Sequence, residues 1–308
     1  MHQFSIITPT YNRAEYLPAV FECLKKQENT DLEWIIIDDG SNDHTKHLVS
    51  KFNSPFKILY HYQQNSGKPQ ATNMGVSLAT SRISLIHDDD DALFPNILPL
   101  VWQYYNPMTE TFRENCVCLS GLCVYDTGEI IGDKFLLDYS VSDNIECRYN
   151  QKIKGDKCEF YLTSVLKEYP FPILKNEKFI VETVVWNRIA LKHKTIYINE
   201  IFQRKTFLKG GLSDQPIWDN SPLGSELYFN EATNKKFSLI NRLKNFAKYI
   251  HWAKINNKNI LQIYRSSFNR CIFIPGLFFY LLLKTWYCIK NIPFVKNRLA
   301  LNKWKKIT

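Results

Sequence analysis

The feature that most constrains this chain is a repeated handover near its start, where short apolar runs stop abruptly in polar residues and are separated by stretches of helical spacing. Phe4-Ser5-Ile6-Ile7-Thr8 reads as a buried strand and runs into the turn chemistry of Pro9-Thr10-Tyr11-Asn12. Leu17, Val20, Phe21 and Leu24 follow at helical spacing. Trp34-Ile35-Ile36-Ile37 is a continuous apolar run, as expected of a strand covered on both faces, and it ends in Asp38-Asp39-Gly40-Ser41. Lys57 to Tyr62 reads as a third strand and Pro69 to Leu78 as a helix. Ile83-Ser84-Leu85-Ile86 is a fourth strand that again stops in carboxylates, Asp88-Asp89-Asp90-Asp91. Strand–helix alternation over roughly the first hundred residues predicts an α/β fold with a mixed, mainly parallel sheet flanked by helices. In open sheets of that kind, ligands bind beyond the carboxyl ends of the strands. The polar strand ends therefore collect on one edge, where a site is expected.

Four adjacent carboxylates repel one another in a partly dry cleft unless something neutralises them. A divalent cation held by hard oxygens, Mg²⁺ or Mn²⁺, fits when it also bridges phosphates. The bland alternative is a solvated acidic loop. Against it stands the placement of the run, directly after a buried strand and before the apolar Ala92-Leu93-Phe94-Pro95. Asp39, at a strand end, has the chemistry to accept from a nucleobase N–H, whereas Gly40, Ser41 and Asp43 read as turn and helix cap. Gly67-Lys68 ahead of a helix suits phosphate approach, although the spacing is not that of a P-loop.

Taken in order, Ser5-Ile6-Ile7-Thr8-Pro9-Thr10-Tyr11-Asn12-Arg13, Ile37-Asp38-Asp39-Gly40-Ser41, Gly67-Lys68, Asn73-Met74-Gly75 and Asp88-Asp89-Asp90-Asp91-Ala92-Leu93 resemble family 2 glycosyltransferases, whose domain has the GT-A fold. The resemblance is close over about the first hundred residues and looser to about Leu212. It implies an inverting transfer from a nucleoside diphosphate sugar, with a UDP-sugar the expected donor. It also implies that Thr8, Tyr11 and Asp39 hold base and ribose, and that Asp88 faces ribose or metal. By the same resemblance Asp90 ligates the metal bridging the diphosphate, with Asp91 supporting. Asp89 stands at a variable position and has a lesser part in donor binding. Many members have Arg before the Asn of the third motif; here Thr72 stands there, and Lys68 is the substitute phosphate contact. Inversion needs a base for the acceptor hydroxyl. Glu182 matches the family's acidic position, and Asp156 is the second candidate. The alternative reading of Glu182 is a charge in the first turn of a helix. His87 is left outside the site, because strand alternation points it away from Asp88.

Three stretches follow. Residues 1–115 are expected to be the nucleotide-sugar half of the GT-A domain, 116–237 its acceptor half, and 238–308 a basic aromatic helical tail. That tail holds 14 of the 39 Lys/Arg and no Asp or Glu, leaving the body with 25 basic and 30 acidic residues. An acidic body with a basic tail argues against nucleic acid as partner and for a local anionic contact. The apolar run Cys271 to Leu283 is short of the ~20 residues a spanning helix needs. With Trp252, Trp286 and Trp304 around it, the tail suits a helix lying on an anionic membrane; the alternative is packing on protein. The eight cysteines form no CxxC pair, and most sit in apolar runs, as expected of free thiols in a reducing cytosol. The chain is thus expected at the inner face of the cell membrane, acting on a glycan or lipid-linked acceptor. Two other functions use a similar sheet edge. A sugar-phosphate nucleotidyltransferase would carry a Gly-rich, basic phosphate loop after the first strand, which Thr8-Pro9-Thr10-Tyr11-Asn12 is not. A non-catalytic metal-binding interaction protein would show no transfer with any donor.

Overall fold

The structure, a computed structural model, describes residues 3–28, 31–105, 115–207 and 218–290. Strands β1 (Phe4–Thr10), β2 (Leu32–Asp38), β3 (Lys57–Tyr62) and β4 (Ile83–Ile86) alternate with helices α1 (Leu17–Lys25), α2 (Thr45–Val49) and α3 (Lys68–Leu78). The four strands lie parallel in the order β3-β2-β1-β4. The chain therefore steps outward from β1 to β3 and returns on the other side of β1. Such a reversal leaves a crevice beyond the ends of the two strands that flank it, here β1 and β4. β2 is buried along its whole length, as its unbroken apolar run requires. α3 lies hard against β1: a Cβ on Gly75 would fall 2.3 Å from the Ile7 side chain, so a larger residue there would push the helix off the sheet.

The sheet continues with β5 (Asp91–Leu93), β6 (Cys116–Val124), β7 (Tyr139–Ser142), β8 (Lys157–Leu162) and β9 (Lys194–Lys205). Its order runs β4-β8-β6-β9-β5, with β7 also on β9. In this half the sheet becomes mixed. β8 runs antiparallel to β4 and β6, and β5 and β7 run antiparallel to β9; only β6 and β9 are parallel. Parallel neighbours need long crossovers, and the helical alternation that supplies them fades near Cys116. Helices α4 (Ile97–Tyr105), α5 (Thr163–Glu168) and α6 (Thr183–Ala190) complete this part. Both halves share one core. Phe4 and Phe160 meet edge to face at 6.2 Å, and Phe160 meets Phe202 at 5.8 Å. Cys23, Cys116, Cys118, Cys123, Cys147 and Cys158 are buried free thiols, packed as small apolar groups.

The chain divides into two compact units, Met1–Gly224 and Ser225–Thr308. The division falls inside α7 (Pro222–Glu231), ahead of the boundary at 238 drawn from charge. Packing explains the difference. Tyr228, Phe229, Ala232 and Phe237 are buried, and Asn230, Ala232 and Thr233 exchange hydrogen bonds with Ser266, Asn245 and Asn269. The second unit also contains α8 (Leu239–Ile255), α9 (Ile260–Ser266) and α10 (Phe273–Lys290). Trp304 lies outside the described residues.

Candidate functional site

The crevice between the ends of β1 and β4 opens into a cleft of about 690 Å³. Its walls come from the turn after β1 (Thr10, Tyr11, Arg13), the segment before α3 (Asn65, Gly67, Lys68), Asp88 to Asp91, the strand β8 (Lys157, Glu159), the start of α6 (Glu182, Thr183) and the end of β9 (Lys205). Asp39, Asp156 and Trp186 also line it. Residues from both halves of the sequence thus converge on the strand edge that the polar endings mark.

The four aspartates are laced by the protein's own cations. Arg13 donates from Nη1 to Asp89 at 2.6 Å and to Asp90 at 3.0 Å. Lys68 lies 2.6 Å from Asp88 and 3.0 Å from Glu182. Lys205 lies 3.1 Å from Asp91, 3.8 Å from Asp156 and 3.9 Å from Asp88. Gln203 donates to Asp91 as well. Burial alone would raise Asp88, but Lys68 and Lys205 hold its carboxyl below the usual range. For Asp89, burial outweighs Arg13 and Thr10 and pushes the group up to about 6. Asp91 goes up to about 8, because burial and the neighbouring Asp88 and Asp90 prevail over Lys205. The carboxylates outnumber the cations that reach them, so the edge keeps unmet negative charge. Among the described residues, no group of three or more His, Cys, Asp or Glu is gathered to hold a metal ion. The repulsion among the four aspartates is thus relieved in part by Arg13, Lys68 and Lys205. Two carboxylates still fit an ion that takes its other ligands from phosphate and water, as Mg²⁺ commonly does.

The individual residues divide as follows. Tyr11 stands at the cleft, 46% exposed. Thr8 does not reach it. Its hydroxyl accepts from Trp34 Nε1 at 2.9 Å and the residue is fully buried. Strand alternation puts Thr8 on the same face as Thr10 but one repeat deeper, so Thr10 and Tyr11 at the strand's end line the cleft and Thr8 does not. Asp39 lines the cleft, yet both its oxygens are engaged. It accepts from Gln63 Nε2 at 2.8 Å, Ser66 N at 2.9 Å and Gly67 N at 2.7 Å. A carboxylate has about four acceptor positions, so one remains for a ligand. The same bonds fold the turn that delivers Lys68. Gly67 there has φ +96°, and a Cβ on it would fall 2.4 Å from the Lys178 carbonyl oxygen. Asp89 accepts from Thr10 Oγ1 at 2.7 Å as well as from Arg13, which ties the β1 turn to the β4 end. Asp89 thus serves this internal tie while also lining the cleft. Asp156 stays half exposed. Glu182 is the N-cap residue of α6 but makes no side-chain cap; its carboxylate goes to Lys68 instead. His87 is fully buried with both ring nitrogens unpartnered, and burial holds it neutral by pushing it down to about 4.

Arg13, Lys205, Arg148 and Glu159 were not singled out by the sequence reading. Arg13 lies inside the first motif, and the charge of the four aspartates alone calls for cations nearby. Glu159 sits in the alternation Lys157-Cys158-Glu159-Phe160, which reads as an ordinary exposed strand position. In the fold that face borders the cleft, and burial pushes Glu159 up to about 7 against the pull of Arg148.

Residues 5–113 match the family model described as Glycosyl transferase family 2. The chain is similar to the glycosyltransferase GlyG of Streptococcus pneumoniae, 32% identical over 102 residues, which is 32% of this chain and 34% of that one. It is 27% identical over 216 residues to a GalNAc(5)-diNAcBac-PP-undecaprenol beta-1,3-glucosyltransferase of Campylobacter jejuni, covering 66% of this chain and 64% of the relative. The matched stretch is therefore less than two thirds of either relative's length. Among solved structures, S. aureus TarS in complex with UDP-GlcNAc superposes with a TM-score of 0.63 at 18% identity, over 89% of this chain and 79% of that one. The mannosyltransferase PcManGT of Pyrobaculum calidifontis, in complex with GDP-Man and Mn²⁺, gives 0.54 at 16% identity, over 98% and 84%. The fold is that of the GT-A glycosyltransferases, and the family 2 likeness rests on residues 5–113.

Proposed function

We propose that this chain transfers a sugar, with inversion, from a nucleoside diphosphate sugar to a hydroxyl of a glycan or lipid-linked acceptor. The observation that carries the reading is Lys68, which touches both Asp88 at the donor end and Glu182 at the acceptor end of one cleft. The base and ribose lie against Tyr11, Thr10 and Asp39. Asp88 and Asp90 would hold Mg²⁺ or Mn²⁺, whose chemistry is to stabilise the leaving diphosphate. Glu182 takes the acceptor proton as the new C1–O bond forms and the C1–O bond to the diphosphate breaks, its electron pair leaving with the diphosphate. Lys68, 3.0 Å from the Glu182 carboxylate, orients it for that step. Asp156, beside Lys205 on the same cleft, is the second candidate for the base. UDP is the expected nucleotide, since TarS binds UDP-GlcNAc on the same fold; PcManGT with GDP-Man makes GDP the competitor.

A thermal-shift screen of UDP, GDP and their sugars, with and without Mn²⁺, tests this. Stabilisation by one nucleotide, lost in Asp90→Ala, is expected. No response to any nucleotide, and no transfer or hydrolysis of any donor, would sink the reading and favour a non-catalytic role.

The second unit is proposed to rest on an anionic membrane surface. Ile274, Phe278, Leu281 and Leu282 share one exposed face of α10, while a Cβ on Gly276, on another face, would meet Phe246 of α8 at 2.4 Å. Among the described residues no helix is long and apolar enough to cross a membrane. An exposed apolar face flanked by Lys and Arg suits the interface plane. Vesicle flotation with and without phosphatidylserine, comparing the whole chain with Phe278→Glu, tests it; equal recovery of both proteins in the soluble fraction would exclude it.

A further inference from the structure

On the acceptor side of the cleft stands a cation that the transfer does not use. Arg148 lines the cleft, and its Nη1 is buried without a hydrogen-bond partner. The residue lies in the π-helical turn Glu146–Asn150. Such turns cost backbone regularity and are frequent at functional sites. This one is clamped. Asp143, just before it, accepts from Glu146 N at 3.0 Å and pairs with Lys194 at 3.0 Å. Asn144 donates to Asn187 Oδ1 at 2.8 Å, and Asn187 donates onward to the Tyr149 hydroxyl at 3.4 Å. Asn187 belongs to α6, the helix that Glu182 begins. The turn carrying Arg148 and the candidate base are therefore fixed to the same helix.

The charges around Arg148 leave it available. Among the charged groups that feel Arg148 are Lys157, whose ammonium is pushed down by burial and then by Arg148, and Glu159. Lys157 is occupied with the carbonyls of Lys154 and Ile131 at 3.1 and 3.4 Å. Glu159 forms no ion pair with Arg148, and burial favours its protonated form. At the donor end, by contrast, Arg13, Lys68 and Lys205 are already on carboxylates. A guanidinium cannot shed its proton and has only donors to offer. A buried, unmet donor of that kind is costly unless a ligand completes it, and an oxyanion does so best. Neutral sugar hydroxyls would satisfy it less well.

The geometry points to Arg148 as the anchor of an acceptor subsite that takes an oxyanion, a phosphate or carboxylate carried by the acceptor beside its reacting hydroxyl. This assignment rests on the transferase reading for the word acceptor, but not for the binding of the oxyanion.

The test is calorimetric titration of the full chain with glycerol 1-phosphate, glucuronate and glycerol, each with and without saturating UDP or GDP and Mn²⁺. The wild type is expected to bind one or both oxyanions and not glycerol, with nucleotide already bound. Competition by inorganic phosphate in the wild type needs no variant and should displace them. Arg148→Gln should weaken oxyanion binding about tenfold or more, and Arg148→Lys should recover part of the loss. Nucleotide affinity should stay within about twofold in both variants. Oxyanion binding unchanged in Arg148→Gln, or no preference over glycerol, overturns the assignment. So does a tenfold loss of nucleotide affinity, which would place Arg148 on the donor phosphates. If no nucleotide binds at all, the transferase reading fails, while the nucleotide-free titration still decides the oxyanion site.

Discussion

Two carboxylates on different strands of this one sheet, β2 and β8, show how its two ends differ. Glu33 lies on β2 near the end opposite the cleft and is fully buried. It accepts from Ser5 Oγ at 2.7 Å, Thr80 N at 2.7 Å, Thr80 Oγ1 at 2.9 Å and Lys57 Nζ at 3.1 Å. Burial would raise it, yet these donors draw it down to about 2. Glu159 lies on β8 at the cleft, touches no such set, and is pushed up to about 7. One residue type, one sheet, and opposite shifts follow from the number of donors around each. A fully satisfied carboxylate holds the fold together. One left short of partners keeps acceptor capacity for a ligand or a proton. The cleft end carries its charges in excess of their protein partners, and the far end does not.

That contrast is open to direct attack. The largest expected effect is at the cleft. Glu182→Gln should lower kcat by about 10²–10⁴ while nucleotide affinity stays within about threefold. Donor titration and single-turnover transfer measure the two separately. An unchanged kcat would move the base to Asp156. At the far end the expected loss is of stability. Glu33 has its pKa held below the ordinary 4.5, so its contribution is fully present above that value and fades as pH falls from 4.5 towards 2. Glu33→Gln should therefore cost about 2–3 kcal/mol at pH 7, with the difference shrinking in acid. Denaturant melts at pH 7 and pH 3 read it, and activity per folded molecule should not change. Activity lost at full stability would erase the distinction between the ends.

The sequence is most informative where function depends on neighbours along the chain. The strand ends of β1, β2 and β4 are visible because apolar runs stop in polar residues, and Lys68 is visible because it follows Gly67 into a helix. Partners from distant strands are not visible in this way. Lys205 reaches Asp88 and Asp91 only because β9 lies beside β5, and Arg148 comes close enough to pull on Glu159, without pairing with it, only through the fold. Depth within a strand is equally hidden. Thr8 and Thr10 look alike in Ile7-Thr8-Pro9-Thr10, yet Thr8 is committed to Trp34 and Thr10 to Asp89. Thr8→Val keeps the shape and leaves the buried Trp34 N–H without its acceptor, at about 1–2 kcal/mol. Nucleotide affinity should be unaltered, which calorimetry checks. A drop in affinity would return Thr8 to the site.

The smallest effect is the most pointed, because it tests the state of Glu159 itself. A carboxyl raised from 4.5 to about 7 binds its proton more tightly in the folded than in the unfolded chain. Between those pH values the folded state holds more protons, so wild-type stability falls as pH rises through the window and the penalty is complete above it. Gln carries no such penalty. Glu159→Gln should therefore melt close to wild type at pH 4.5 and roughly 2–4 °C above it at pH 8, less than the full shift would give because the side chain is only half-buried and solvent in the cleft screens it. The sign is opposite to that at Glu33, where the substitution hurts most at neutral pH. A flat difference across the window would mean that Glu159 is ionised throughout. Arg148 would then already be answered by a carboxylate, and the excess of unmet charge that separates the cleft from the far end of the sheet would shrink to the four aspartates alone.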